Sequence, residues 1–154
     1  MTTVKPIANS TPLVVAGLDR AVREVVSYAA QRAEELDGRL RVVHTYVVPQ
    51  TTLIGTYADE VRLRFEAGGQ AVLDEARQII KSLESPIDAE YVLVHGHSAP
   101  TLLAESHHAT ELVLGQDDPT WESRFFEGQV CQRVVAAASC RVVVIPSQAT
   151  TGRN

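Results

Sequence analysis

The sequence predicts an α/β fold: a single doubly wound, five-stranded parallel sheet with helices on both faces. Three observations carry that expectation. Five short runs of aliphatic and β-branched residues are bounded by Gly, Pro or polar turns, as strands buried on both faces are. Between them, apolar side chains recur at three- and four-residue steps, the period of a helix. The two kinds of segment alternate along 154 residues, enough chain for one domain and one core.

Residues 1–11 are polar and contain Pro, and are expected to be a mobile tail ahead of a domain over 12–147. The first strand is Leu13-Val14-Val15-Ala16-Gly17. Val22, Val25 or Val26, Ala29, Ala33 and Leu36 then form one helical stripe, closed by Asp37-Gly38. A second strand lies within Arg39 to Val48, centred on Leu40 to His44, and Pro49 to Thr56 reads as a loop. A long helix is predicted from Val61, Phe65, Gly68, Val72, Ala76, Ile79 and Leu83. Gly68-Gly69 interrupts it at about 1 kcal/mol each relative to Ala, and is expected to kink it or admit close packing. Ser85-Pro86 ends the helix.

Ile87 to Val94 is the third strand. After Gly96-His97, Ser98 is expected to cap a short helix through Leu102, Leu103 and Ser106. Glu111 to Gly115 is the fourth strand, and a polar loop runs from Gln116 to about Phe126. Gly128 to Ala138 is a helix with Val130, Val134 and Ala137 on one face. Arg141 to Ile145 is the fifth strand, ended by Pro146, and 148–154 is a second tail. In such sheets a ligand crevice lies beyond the carboxyl ends of the strands where their order reverses, which singles out the loops after strands one and four.

The net charge of −5 and the lack of a Lys/Arg cluster give no electrostatic footprint for nucleic acid or an anionic membrane surface. No stretch has the length of a membrane span, and Met1 to Ser10 lacks the apolar run of a signal peptide. Cys131 and Cys140 form no CxxC pair and read as small buried hydrophobes in a reducing compartment. The cytoplasm is the expected location.

The segment after strand four, from Gly115 to Val130, resembles the nucleotide loop of the universal stress protein family: Gly, two residues, Gly, nine residues, Gly, then Ser or Thr. Gly115 and Gly128 hold its first and last glycines. Ala16-Gly17-Leu18-Asp19, Val43-His44, Val94 to Ala99, Arg133-Val134-Val135 and Cys140 to Pro146 are similar to the family's other segments, so the resemblance runs from about Pro12 to Pro146. It implies a Rossmann-like fold of the adenine nucleotide alpha hydrolase type, and pairing of two copies through the fifth strand. It also implies a nucleotide site at Gly17, Asp19, Thr45, Gly115, Gly128, Gln129 and Val130. Asp19 would contact adenosine and Thr45 would offer backbone groups to the adenine ring.

The departures bear on the ligand. Asp118 stands at the middle glycine and Gln129 at the closing hydroxyl. Glycines let backbone N–H groups turn inward onto an anion, and the hydroxyl adds a donor at a helix start. Asp118, with Asp117 beside it, sets a carboxylate there instead. Two like charges about 4 Å apart repel by about 4 kcal/mol at a partly exposed site, whereas a charge-assisted hydrogen bond returns about 1.5–3 kcal/mol. Triphosphate binding is therefore expected to be weak or absent, leaving a vestigial site. The alternative, ATP or AMP held by a divergent loop, rests on the amide of Gln129 and on a magnesium ion bridging Asp117 or Asp118 to phosphate.

Asp19 also reads as a helix N-cap, and Arg20, where the family often has a small residue, is expected to narrow access. His95 and His97 share a strand face, but no Cys or carboxylate follows at zinc spacing, and His107 and His108 point apart on a helix, so no metal site is expected. Trp121, Phe125 and Phe126 read as packing aromatics. The functional expectation is a non-enzymatic, homodimeric stress-response protein that regulates or protects a protein partner. The fifth-strand residues Val142, Val143, Val144 and Ile145 supply the sheet edge for pairing. An enzyme or electron-transfer module of the same fold is the alternative of another class. Gly17 to Arg20 is neither Gly-rich nor a paired-histidine loop, and the sequence has no nucleophile elbow.

Overall fold

Side-chain alternation along β1 (Leu13–Leu18) sorts the core into two layers. Val14, Ala16 and Leu18 enter one hydrophobic cluster and Val15 the other, as the two-residue period of a strand requires. A computed structural model of the chain describes residues 11–49, 57–116 and 129–146. In it, β1 pairs with β2 (Arg39–Tyr46) on one side and β4 (Glu111–Gly115) on the other, β2 with β3 (Ala89–His95), and β4 with β5 (Arg141–Ile145). All pairs are parallel and the spatial order is β3-β2-β1-β4-β5. Helices α1 (Val22–Glu35) and α2 (Ala58–Ser82) pack on one face. Helices α3 (Ser98–Ser106) and α4 (Val130–Ala137) pack on the other. The doubly wound expectation holds, and β5 lies at a sheet edge.

The turn at Asp37-Gly38 is as the sequence predicts, for two separate reasons. Asp37 adopts the left-handed conformation at φ 52°, and the Asp37 and Gly38 amides return to the carbonyls of Glu34 and Ala33 at 3.0 and 2.9 Å, a Schellman closure. Gly38 is needed because a β-carbon there would lie 2.3 Å from the Pro12 carbonyl oxygen.

Several local expectations are corrected. Asp19 does not cap α1. The N-cap is Ala21, itself left-handed, with no side-chain cap bond. Ser98 is not a cap either: α3 begins at Ser98, its N-cap is His97, and the Ser98 hydroxyl pairs with Thr45 Oγ1. Strand β3 starts at Ala89, two residues after Ile87, and α4 begins at Val130. The buried face of α2 is Gly69, Leu73, Ala76, Ile79 and Ile80. Ala76 and Ile79 are buried as expected, whereas Phe65, Gly68 and Leu83 are exposed and the buried positions ahead of Ala76 are Gly69 and Leu73. The helix is continuous through the glycine pair. Gly69 meets Leu93, whose Cδ1 would sit 2.6 Å from an added β-carbon, while Gly68 faces open space. Of the cysteines, Cys131 is buried but Cys140 is half-buried.

Candidate functional site

Between β1 and β4 the sheet order reverses, and beyond their carboxyl ends lies a crevice of about 350 Å³, counting the part open to solvent. That is the place at which doubly wound sheets take small ligands. Its base is Gly17. A β-carbon there would fall 2.7 Å from Leu114 Cδ2 and 2.8 Å from Leu102 Cδ2, so the glycine admits the two leucines that make an apolar floor. Val43 and Val130 extend that surface. The polar groups are few: Asp19 at the end of β1, the Thr45–Ser98 hydroxyl pair bridging β2 to α3, and Cys131 in the first turn of α4.

Of the residues singled out from sequence, Gly17, Asp19, Thr45, Gly115 and Val130 line this one crevice. Gln129 is exposed at the N-cap of α4 and does not line it. Gly128, Asp117, Asp118 and the aromatics Trp121, Phe125 and Phe126 lie outside the described residues. The Thr45 hydroxyl is paired with that of Ser98. Sequence reasoning missed Leu18, Val43, Ser98, Leu102, Leu114 and Cys131 as site residues. Gly96-His97-Ser98 did signal a turn at the right end of the sheet, but read as a cap it pointed the hydroxyl at its own helix instead of across to β2.

The backbone of Arg20 packs over Gly115. Its carbonyl oxygen lies 2.4 Å, and its Cβ 3.1 Å, from where a Gly115 side chain would begin. Gly115 is therefore required by the turn packed over it, independently of any phosphate.

The ion pairs gather at the opposite end of the sheet. Arg32 Nε meets Glu111 at 3.1 Å, and Arg41 meets Glu105 at 2.9 Å and Glu90 at 2.7 Å. The hydrogen bonds that Arg32 and Arg41 donate to these carboxylates, chiefly to Glu111 and Glu105 respectively, hold the two guanidiniums above their ordinary pKa. Among the described residues no group of three or more His, Cys, Asp or Glu converges as a metal site. His95 instead stacks on Tyr46, ring centroids 4.9 Å apart. The His97 carbonyl accepts the Thr101 hydroxyl at 2.8 Å, and His107 Nδ1 pairs with the Ser139 hydroxyl. No described helix is long and apolar enough to cross a membrane.

The architecture recurs in solved structures. A universal stress protein in complex with cAMP is 23% identical, with 90% of this chain and 98% of that one covered at a TM-score of 0.64. Universal stress protein UspA from Lactobacillus plantarum is 17% identical, covering 88% and 97% at a TM-score of 0.69. The universal stress protein from Archaeoglobus fulgidus in complex with dAMP is 21% identical, covering 88% and 97% at 0.57. No curated protein sequence matches the chain. The universal stress protein family model matches residues 12–146, which include every strand of the sheet and both walls of the crevice, and the chain belongs to that family.

Proposed function

We propose that this protein is a non-enzymatic, homodimeric stress-response regulator of the cytoplasm, with weak or no ATP binding and a protein as its partner. The observation that carries this reading is the contrast within the crevice. The nucleoside end is intact: an apolar floor of Leu102 and Leu114, the Asp19 carboxylate and the Thr45–Ser98 pair. In the sequence that follows β4, Asp118 stands where the family motif has a glycine and Gln129 where it has a hydroxyl, and Gln129 does not line the crevice. Triphosphate charge has little to offset it there. That the family neighbours named above were solved with cAMP and dAMP supports a ligand with one phosphate where one binds at all.

Calorimetric titration with Mg-ATP, alongside mass spectrometry of the purified protein after mild denaturation, tests this. The expected result is little or no heat with ATP and no co-purified triphosphate. Tightly held ATP, or its turnover, overturns it.

The second reading, an AMP- or ATP-binding regulator with a divergent loop, is favoured by the apolar floor and the Asp19 carboxylate that the crevice keeps. Co-purified adenine nucleotide supports that reading.

A further inference from the structure

His44 lines no part of the crevice, yet it is bonded to a residue that does. Its neighbours in β2, Val43 and Thr45, both line the crevice. The two-residue period of a strand therefore turns His44 to the opposite face, the side of Val42 and of helices α1 and α2. There its Nδ1 lies 2.8 Å from the carbonyl oxygen of Leu18. A carbonyl oxygen only accepts, so Nδ1 carries the proton and the ring donates.

This bond falls where β1 loses half of its support. Gly17 is paired on both sides, with Val43 of β2 and Leu114 of β4, whereas Leu18 is paired with β2 alone, opposite His44. Leu18 and Asp19 then form one wall of the crevice. The turn closes with the Arg20 carbonyl packed against Gly115 and with Ala21 left-handed at φ 52° and ψ 48°. A residue with a β-carbon keeps that backbone only when its surroundings hold it. The β1–α1 turn is thus strained, and it leaves the sheet from a carbonyl that His44 grips.

We infer that His44 is a positioning residue of the crevice: by donating to the Leu18 carbonyl it fixes the end of β1, and with it the wall that meets a nucleoside. This rests on the reading of the crevice as a nucleoside site and adds a residue that no ligand touches. A binding wall whose supporting bond is lost drifts, and the site loses affinity while the fold stays.

The test is calorimetry of the full chain with adenosine, for the wild type and for His44→Phe, His44→Asn and Arg32→Met. Phe keeps a ring and has no donor. Asn carries its amide nitrogen where Nδ1 stands, so it can remake the bond. Arg32 is bonded to Glu111 at the far end of the sheet, and its variant loosens the fold without reaching this turn. His44→Phe is expected to bind adenosine about five- to tenfold more weakly than the wild type, the worth of one buried hydrogen bond. His44→Asn should recover most of that loss, and Arg32→Met should show none. Nitrogen-15 NMR of the wild type at about pH 8, where an ordinary imidazole is neutral, should find the His44 ring protonated at Nδ1, a measurement that needs no variant to fold. Unchanged affinity in His44→Phe overturns the role of His44 and leaves the nucleoside site standing. So does an equal loss in His44→Asn or in Arg32→Met, or a His44 ring protonated at Nε2 alone. A wild type that does not bind adenosine overturns both.

Discussion

Arg32 Nε, near the end of α1, donates to both carboxylate oxygens of Glu111 at 3.2 and 3.1 Å. Glu111 is the first residue of β4 and only 1% exposed, while Arg32 keeps contact with water. The two partners therefore differ in what their loss leaves behind. Arg32→Met strands a buried carboxylate, for which unpairing costs about 3 kcal/mol, and Arg141 Nε at 3.8 Å recovers part of that. For a chain of this size the melting temperature is expected to fall by about 5–10 °C. Glu111→Gln leaves a guanidinium that water can solvate, so its shift should be clearly smaller. Scanning calorimetry of the two variants measures the order, and equal shifts would count against the asymmetry.

Cys140 sits beside that carboxylate. Burial first, and then the Glu111 charge, push its thiol above the ordinary 9.0, against a smaller opposing pull from the Leu112 backbone. A raised value means the folded chain holds the thiol proton more firmly than the unfolded one. The linked stability is fully present below the unfolded value and is lost as pH rises through the folded one. Iodoacetamide at about pH 8.5 should label Cys140 more slowly in the native chain than in urea, with the site read by peptide mass spectrometry. Glu111→Gln should speed native labelling. Native labelling as fast as in urea would show the thiol unprotected.

These two residues also show what was legible in the sequence. The strand at Glu111 to Gly115 could be read from its Leu-Val-Leu run, but nothing local announced that its Glu is buried, because the partner lies 79 residues away. Order and spacing gave the sheet and the crevice at the β1/β4 reversal, since strand alternation is a short-range signal, and the resemblance to the family supplied five of its lining residues. What escaped depends on neighbours across the fold. Ser98 reads as a cap until β2 brings Thr45 to its hydroxyl. Gly115 reads as a phosphate glycine until the Arg20 carbonyl is seen against it. The α2 stripe is right at Ala76 and Ile79 but one residue off at Gly69 and Leu73, because periodicity alone does not say which side of a long helix meets the sheet along its whole length.

The glycine pair of α2 separates two effects that sequence cannot. Gly68 faces open space within a continuous helix, so Gly68→Ala removes only the helix penalty and should stabilise by about 0.5–1 kcal/mol. Gly69→Ala gains the same term but sets a β-carbon 2.6 Å from Leu93 Cδ1. Leu93 packs against the buried core, and forcing it aside costs about 1–3 kcal/mol. The net result should be neutral to destabilising by about 2 kcal/mol. Urea midpoints at equal slope check the pair. A Gly69→Ala chain as stable as Gly68→Ala would mean that Leu93 moves away without loss.

Strand β5 leaves one side of the sheet unpaired among the described residues, and Val144 is 36% exposed along it. On α4, which packs against β5, Val135 is 54% exposed. An apolar strand with open N–H and C=O groups is a template for another strand, and a second copy related by a two-fold axis would close it. Sedimentation equilibrium should then give twice the 16.8 kDa chain mass. Val144→Lys sets a charge on that edge without touching the buried face, so the chain should become monomeric with its circular dichroism unchanged. Val135→Lys, one layer out, serves as the second probe. If it alone splits the dimer, the contact runs through α4 instead of β5. A wild type at the single-chain mass, or a dimer that survives both substitutions, would remove β5 as the pairing surface.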